Sequence, residues 1–321
     1  MKDKLPRDCG GNIKLQDGTG SILATCPCGD FMEVYKEDTT FRIRTPETID
    51  PRRTNPNAPV VAAVSDTVGS SSPVVARVLL QGHDILETAI FNRKIDKPAV
   101  LLLLHACKES LVVCEKAAKH VASVVDKIVD EIRTDGIKSD SNGRALNPFP
   151  QVLGLDSDAT TFLIHAKRAI HDICRMPSLF LPVPAKDNNF DELVKTLSKS
   201  VGPSSPITDF VRANTGSVRH LIELRNHQEH PGARCTVIDN FVVTPDGAIS
   251  TPTWYVSGEK PQPIRDEMLV AVQFLIRMAE VMLIHLVMDA VNKQLPFIIE
   301  EIKDTQVNTR MPIKYRLSID I

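Results

Sequence analysis

Residues 100–132 read VLLLLHACKESLVVCEKAAKHVASVVDKIVDEI. Within them Val100, Leu104, Cys107, Leu111, Cys114, Ala118, Val121, Val125, Ile128 and Ile132 follow one another at alternating steps of four and three. A seam of that period runs along one side of a helix and suits a partner lying nearly parallel or antiparallel to it. Pro98 stands near its start, and Asp135-Gly136 ends it. The stretch therefore points to a helical bundle.

Working outward, the same periodicity recurs. Val75, Val78, Leu79, Gly82, Leu86, Ala89 and Ile90 predict a shorter helix before the seam. After a Ser-, Asn-, Gly- and Pro-rich loop at about 136–155, Asp156-Ser157-Asp158 offers N-caps for a helix carrying Phe162, Ala166, Ala169, Ile170 and Ile173. A short helix over Asp191–Lys199 follows, then one from about Ile207, started by Ser204-Ser205-Pro206. A last long helix after Pro263 repeats the 3.5-residue spacing at Met268, Val272, Leu275, Ala279, Met282 and Leu286.

Three regions break the helical pattern. Residues 1–45 carry turn signals at Gly10-Gly11 and Asp17-Gly18-Thr19-Gly20, and two short strands are predicted at Phe31–Tyr35 and Thr40–Arg44. Residues 46–73 hold five prolines and end near Gly69-Ser70-Ser71-Ser72, the composition of a linker or extended arm. Within residues 74–321 a β-hairpin at about 235–256 turns on Thr244-Pro245-Asp246-Gly247, and alternation from Ile313 to Ile321 predicts a C-terminal strand over about 311–321. The expected class is mainly α: a helical bundle with a small β-hairpin and a distinct β-rich or irregular N-terminal region.

Composition excludes several function classes. Of 321 residues, 42% are hydrophobic and 24% charged, the balance of a soluble globular chain. A net charge of −2 excludes polyanion binding by bulk charge, and 5% aromatics argue against a stacking platform for single strands. The cysteines number seven, an odd count, with several in apolar helical patterns. No apolar run follows the N-terminal Met-Lys-Asp-Lys, and the apolar stretch Ala99–Cys107 is too short to span a bilayer. A cytoplasmic location without membrane contact is expected.

Possible chemistry concentrates in Arg219–Gly232. An amphipathic run through Val218, Leu221, Ile222 and Leu224 leads into Arg225, Asn226, His227, Glu229 and His230, and Pro231-Gly232 then stops the helix. Histidine titrates near neutral pH, and the arginine fork matches phosphate oxygens. At 100° per residue Asn226 lies about 40° from His230, near enough to orient it, whereas Arg225 lies about 140° away. The helix dipole at a C-terminus also favours cations. Residues 160–235 hold ten Lys/Arg against seven Asp/Glu, a local excess of three positive charges.

Arg225-Asn226-x-x-x-His230 resembles the signature of the HEPN superfamily of α-helical bundle proteins, many of them RNA-cleaving toxins or defence nucleases. The resemblance is close over those six residues and loose over about 74–294. It implies a metal-independent endoribonuclease acting through the ribose 2′-hydroxyl, in a toxin–antitoxin or anti-phage setting, without a cofactor. Arg225 would hold phosphate, His230 would move protons, Asn226 would orient, and His227 would assist. It implies a homodimer in which two motifs share one cleft, an RNA substrate and an antitoxin protein partner. The alternative is a non-catalytic HEPN-like interaction or dimerisation protein.

The remaining candidates are weaker. His220, His227 and His230 with Cys235 form a loose zinc-type set. Cys9, Cys26 and Cys28 resemble a damaged zinc ribbon that lacks paired Cys-x-x-Cys spacing. His105 and His285 fall in apolar seams and are expected to be hydrogen-bonded core residues. The chain has no phosphate-binding glycine loop, no nucleophile elbow and no carboxylate pair at catalytic spacing.

Overall fold

A computed structural model describes residues 5–9, 13–137, 145–185 and 189–320. Gly10-Gly11, the middle of the 136–155 loop and Ile321 lie outside the described residues. The chain opens with strands β1 (Ala24–Cys28), β2 (Phe31–Tyr35) and β3 (Thr40–Arg44), a single turn α1 (Pro46–Ile49) and strand β4 (Val61–Asp66). Helices α2 (Gln81–Thr88), α3 (Lys97–Asp135), α4 (Leu155–Arg175), α5 (Phe190–Ser200) and α6 (Pro206–Glu229) follow. Then come β5 (Thr236–Asp239), β6 (Val242–Val243), β7 (Ile249–Ser250), β8 (Thr253–Val256) and β9 (Gln262–Pro263). Helix α7 (Ile264–Ala290) and strands β10 (Phe297–Glu301) and β11 (Tyr315–Ile319) close the order.

The expected class is corrected. About 50% of the chain is helix and 16% strand, with a four-stranded antiparallel sheet near the N-terminus, so the protein is mixed helix and sheet and not a mainly α, HEPN-like bundle. The reason lies in β4. Val61–Asp66 sits inside the Pro-rich stretch 46–73, and its side chains are mostly exposed, so no apolar period marks it. Its ladder to β3 holds it instead, from Arg44 opposite Val61 to Thr40 opposite Asp66. β1, β9 and β10 are further unforeseen strands; β1 pairs with β2 from Ala24 opposite Tyr35 to Cys28 opposite Phe31, and β10 with β11 from Phe297 opposite Ile319 to Glu301 opposite Tyr315.

The chain divides into two compact units: Met1–Lys108 with Met176–Pro182 and Ala279–Ile321, and Glu109–Arg175 with Val183–Met278. In the first, β1 to β4 pair in sequence order, all antiparallel. Gly29 makes the β1–β2 turn at φ 65°, which a side chain would strain. Pro27 is tolerated because β1 is an edge strand. The buried Gln81 amide ties this unit together: Nε2 donates to Glu280 Oε1 at 3.0 Å, and Oε1 accepts from the backbone N–H groups of Lys314 and Tyr315 at 2.7 and 2.8 Å. Arg77 also pairs with Glu280.

The second unit is built on α4, α5 and α6 around Phe162 and Trp254, both fully buried, whose ring centroids lie 5.8 Å apart. Trp254 Nε1 donates to Glu267 at 2.8 Å, which satisfies the indole inside the core. β5 pairs with β8 and β8 with β9, while β6 and β7 form a hairpin on Thr244-Pro245-Asp246-Gly247 with Gly247 at φ 82°. Helix α7 is a longer apolar stretch than Ala99–Cys107: its best window has mean hydropathy 1.8, enough by length and composition to cross a membrane. That window is 61% buried within the protein, and the core helices of soluble proteins pass the same test.

Candidate functional site

Helix α6 carries the polar cluster to its end. Ser205 caps its start, accepting from the Thr208 N–H, and Pro206 occupies the first turn. Val211, Val218, Leu221 and Leu224 are buried and fix the rotation of the helix. Arg225 and Glu229, one turn apart, form an ion pair. His230 leaves helical geometry at φ −125°, ψ 69°, while its N–H still bonds Asn226 O at 2.9 Å. Its imidazole is 76% exposed, and Nε2 lies 3.4 Å from the Glu229 oxygen that faces Arg225.

One carboxylate therefore joins the two residues that the helical wheel sets about 140° apart. The bend at His230 and the reach of Glu229 close the gap within a single chain. Asn226 does not face His230 in this arrangement: its Oδ1 accepts from Lys167 Nζ of α4 at 2.9 Å. Gln228 Nε2 donates to Thr160 Oγ1 of α4 at 2.7 Å, a second tie holding the end of α6. His227 lies half-buried in the same last turn. Burial, and then the Arg225 charge, push the Lys167 ammonium below its ordinary value.

Asn226 also borders a groove of about 310 Å³ beside the start of α5, where Arg219 Nη2 donates to both oxygens of the Asp191 carboxylate at 2.8 and 3.0 Å. The cluster thus offers two cations, Arg225 and Lys167, an accessible imidazole and an adjoining concavity. Glu229 occupies the place between Arg225 and His230 where an oxyanion would bind. Phosphate there has to displace that carboxylate.

The loose zinc set does not assemble. His220 Nε2 lies 3.3 Å from Glu267 Oε2, and among the described residues no group of ligating atoms joins it to His227, His230 or Cys235. The hydrogen bond to Glu267 raises the His220 pKa against the opposing effect of burial, and the same bond lowers that of Glu267.

The N-terminal cysteines separate. Cys9 is exposed, its Sγ 3.6 Å from Leu5 O, whereas Cys26 and Cys28 are buried together on one face of β1. Pairing with β2 sets Glu33 opposite Cys26, and pairing with β3 sets Arg42 opposite Glu33. His105 and Lys108, one turn apart on α3, reach the same carboxylate: His105 Nε2 donates to Oε1 at 3.0 Å and Lys108 Nζ to Oε2 at 2.8 Å. Arg42 Nε donates to Oε1 at 3.1 Å, and the Tyr35 hydroxyl to Oε2. Burial alone would raise Glu33, but His105 and Lys108 hold its carboxyl well below the usual range. The neighbouring Cys28 thiol, and then burial, push Cys26 up.

Sequence reading missed Glu33, His105 and Lys108 as a group. The one local signal was the Cys-x-Cys spacing, which on a strand puts both thiols on one face. No protein-family profile, no curated protein and no solved structure matches this chain.

Proposed function

We propose that the protein is a metal-independent endoribonuclease whose chemistry is carried by Arg225 and His230. The supporting observation is their meeting at Glu229: Arg225 Nη1 and the accessible His230 imidazole face the same carboxylate oxygen. A scissile phosphate displacing Glu229 would be held by Arg225 and, beside it, Lys167. His230 would take the 2′-hydroxyl proton or give one to the leaving 5′-oxygen. Asn226 would keep Lys167 in place, His227 would assist from the same turn, and the groove beside α5 would take a flanking nucleotide. The resemblance to HEPN nucleases enters only through Arg225-Asn226-x-x-x-His230. On this reading the protein acts on RNA in the cytoplasm as a homodimer, in a toxin–antitoxin or defence setting with an antitoxin as partner.

The test is cleavage of a labelled total-RNA pool without added divalent metal, with end-group analysis of the products. Wild type should leave 2′,3′-cyclic phosphates, and His230→Ala should lose about 10²–10⁴-fold in rate. Arg225→Ala should lose activity while Cys9→Ser retains it. Equal cleavage by wild type and His230→Ala, or none by either, ends this proposal.

A second reading, a non-catalytic interaction protein, has one observation in its favour. Between α6 and α7 runs a groove of about 600 Å³ lined by Leu221, Val270, Ala271 and Phe274, with Val270 67% exposed. Folded protein that neither cleaves nor binds RNA would favour it.

A further inference from the structure

We propose that Cys26, Cys28, Glu33 and His105 form a closed zinc site tying the β1–β2 hairpin to the start of α3. Ligating atoms of Cys28, Glu33 and His105 already lie within 4.8 Å of one another, and Cys26 shares the buried face of β1 with Cys28. All four residues belong to the first compact unit. Two sulfurs, an imidazole and a carboxylate are each zinc ligands and together fill a tetrahedral shell.

Charge favours the exchange. Glu33 faces Lys108 and Arg42, so the cluster without metal carries one negative and two positive groups. A zinc ion entering as two thiol protons leave adds no net charge to this buried place. When the His105 proton moves from Nε2 to Nδ1, Nε2 turns from Glu33 to the metal and frees one side of Oε1, which supplies the fourth ligand. Lys108, Arg42 and Tyr35 keep their bonds to the carboxylate and orient it, as outer partners of metal sites do.

A disulfide fits the same two cysteines less well. Cα atoms two residues apart on a strand are roughly 6.6 Å apart, near the upper end of the disulfide range. Thiolates about 2.3 Å from a shared zinc need no such approach.

The test uses full-length protein purified under reducing conditions. Elemental analysis should find about one zinc per chain, and Co²⁺ added to zinc-stripped protein should give intense thiolate-to-cobalt absorption and tetrahedral d–d bands. Cys26→Ser and Cys28→Ser should each lose the metal, Cys9→Ser should keep it, and His105→Gln should weaken it about 10–100-fold or more. Should the buried variants not fold, the wild-type cobalt spectrum and the sulfur count from X-ray absorption decide alone. Protein without zinc and without cobalt–thiolate absorption overturns the proposal. So does zinc retained by both buried serine variants, zinc lost by Cys9→Ser, or a Cys26–Cys28 disulfide found by mass spectrometry in protein prepared without reductant.

Discussion

Glu229 decides whether the end of α6 is a binding site or a closed ion-pair cluster, because it faces both Arg225 and His230. Glu229→Gln keeps the shape and removes the charge that competes with phosphate. It should tighten RNA binding several-fold, measured by filter binding or anisotropy; weaker binding would make Glu229 a support for the arginine. His220 and Glu267 carry a pH signature. The raised His220 pKa gives stability that is full below its ordinary value of 6.5 and lost as pH rises through the higher folded value. The lowered Glu267 pKa gives stability present above its ordinary 4.5 and lost on acidification below it. His220→Gln should therefore cost most between about pH 4.5 and 6.5 and little at pH 9. Both groups are about a third exposed, so screening limits the effect to about 1 kcal/mol or less, read from urea midpoints at the two pH values. Asp172 works the other way: burial pushes its carboxyl up to about 6 against the pull of His171 and Arg175. Its ionisation destabilises the fold as pH rises through that value. Asp172→Asn should raise the melting temperature at pH 8 and leave it nearly unchanged at pH 4.

At the scale of elements, amphipathic helices were legible and the strands only in part. The seam from Val100 to Ile132 lies within α3 and Ser205-Pro206 starts α6, whereas α4 begins at Leu155, so Asp156 and Asp158 lie in its first turn and do not cap it. These signals are local, because a helix bonds within itself. β4 and β10 bond to partners elsewhere in the chain, and β4 buries too little side chain to leave an apolar trace. Gln81 shows the same limit: nothing near it announces that its amide will hold Glu280 and two backbone N–H groups of the C-terminal segment. Gln81→Ala strands all three and should cost about 2–4 kcal/mol, measured by urea unfolding. A loss below about 0.5 kcal/mol would mean that water takes over those bonds.

At the scale of the whole molecule, a chain of net charge −2 has no global pull on RNA, so any binding must rest on a few local contacts. The dependence of log affinity on log salt should be shallow, and Arg225→Ala should reduce its slope by about 1. The sequence by itself determined where the long helices run and that α6 ends in an arginine, an amide and two histidines; that Cys26 and Cys28 share one side of a strand came from the structure. The first two properties follow from periodicity and caps, which act over a few residues. Only the tertiary structure decided that the chain mixes helix with sheet, that Glu229 joins Arg225 to His230, and that a carboxylate on β2 gathers a histidine and a lysine from α3. Strand register and a buried charge choose partners by proximity in space, and residues 33 and 105 become neighbours only once the fold exists.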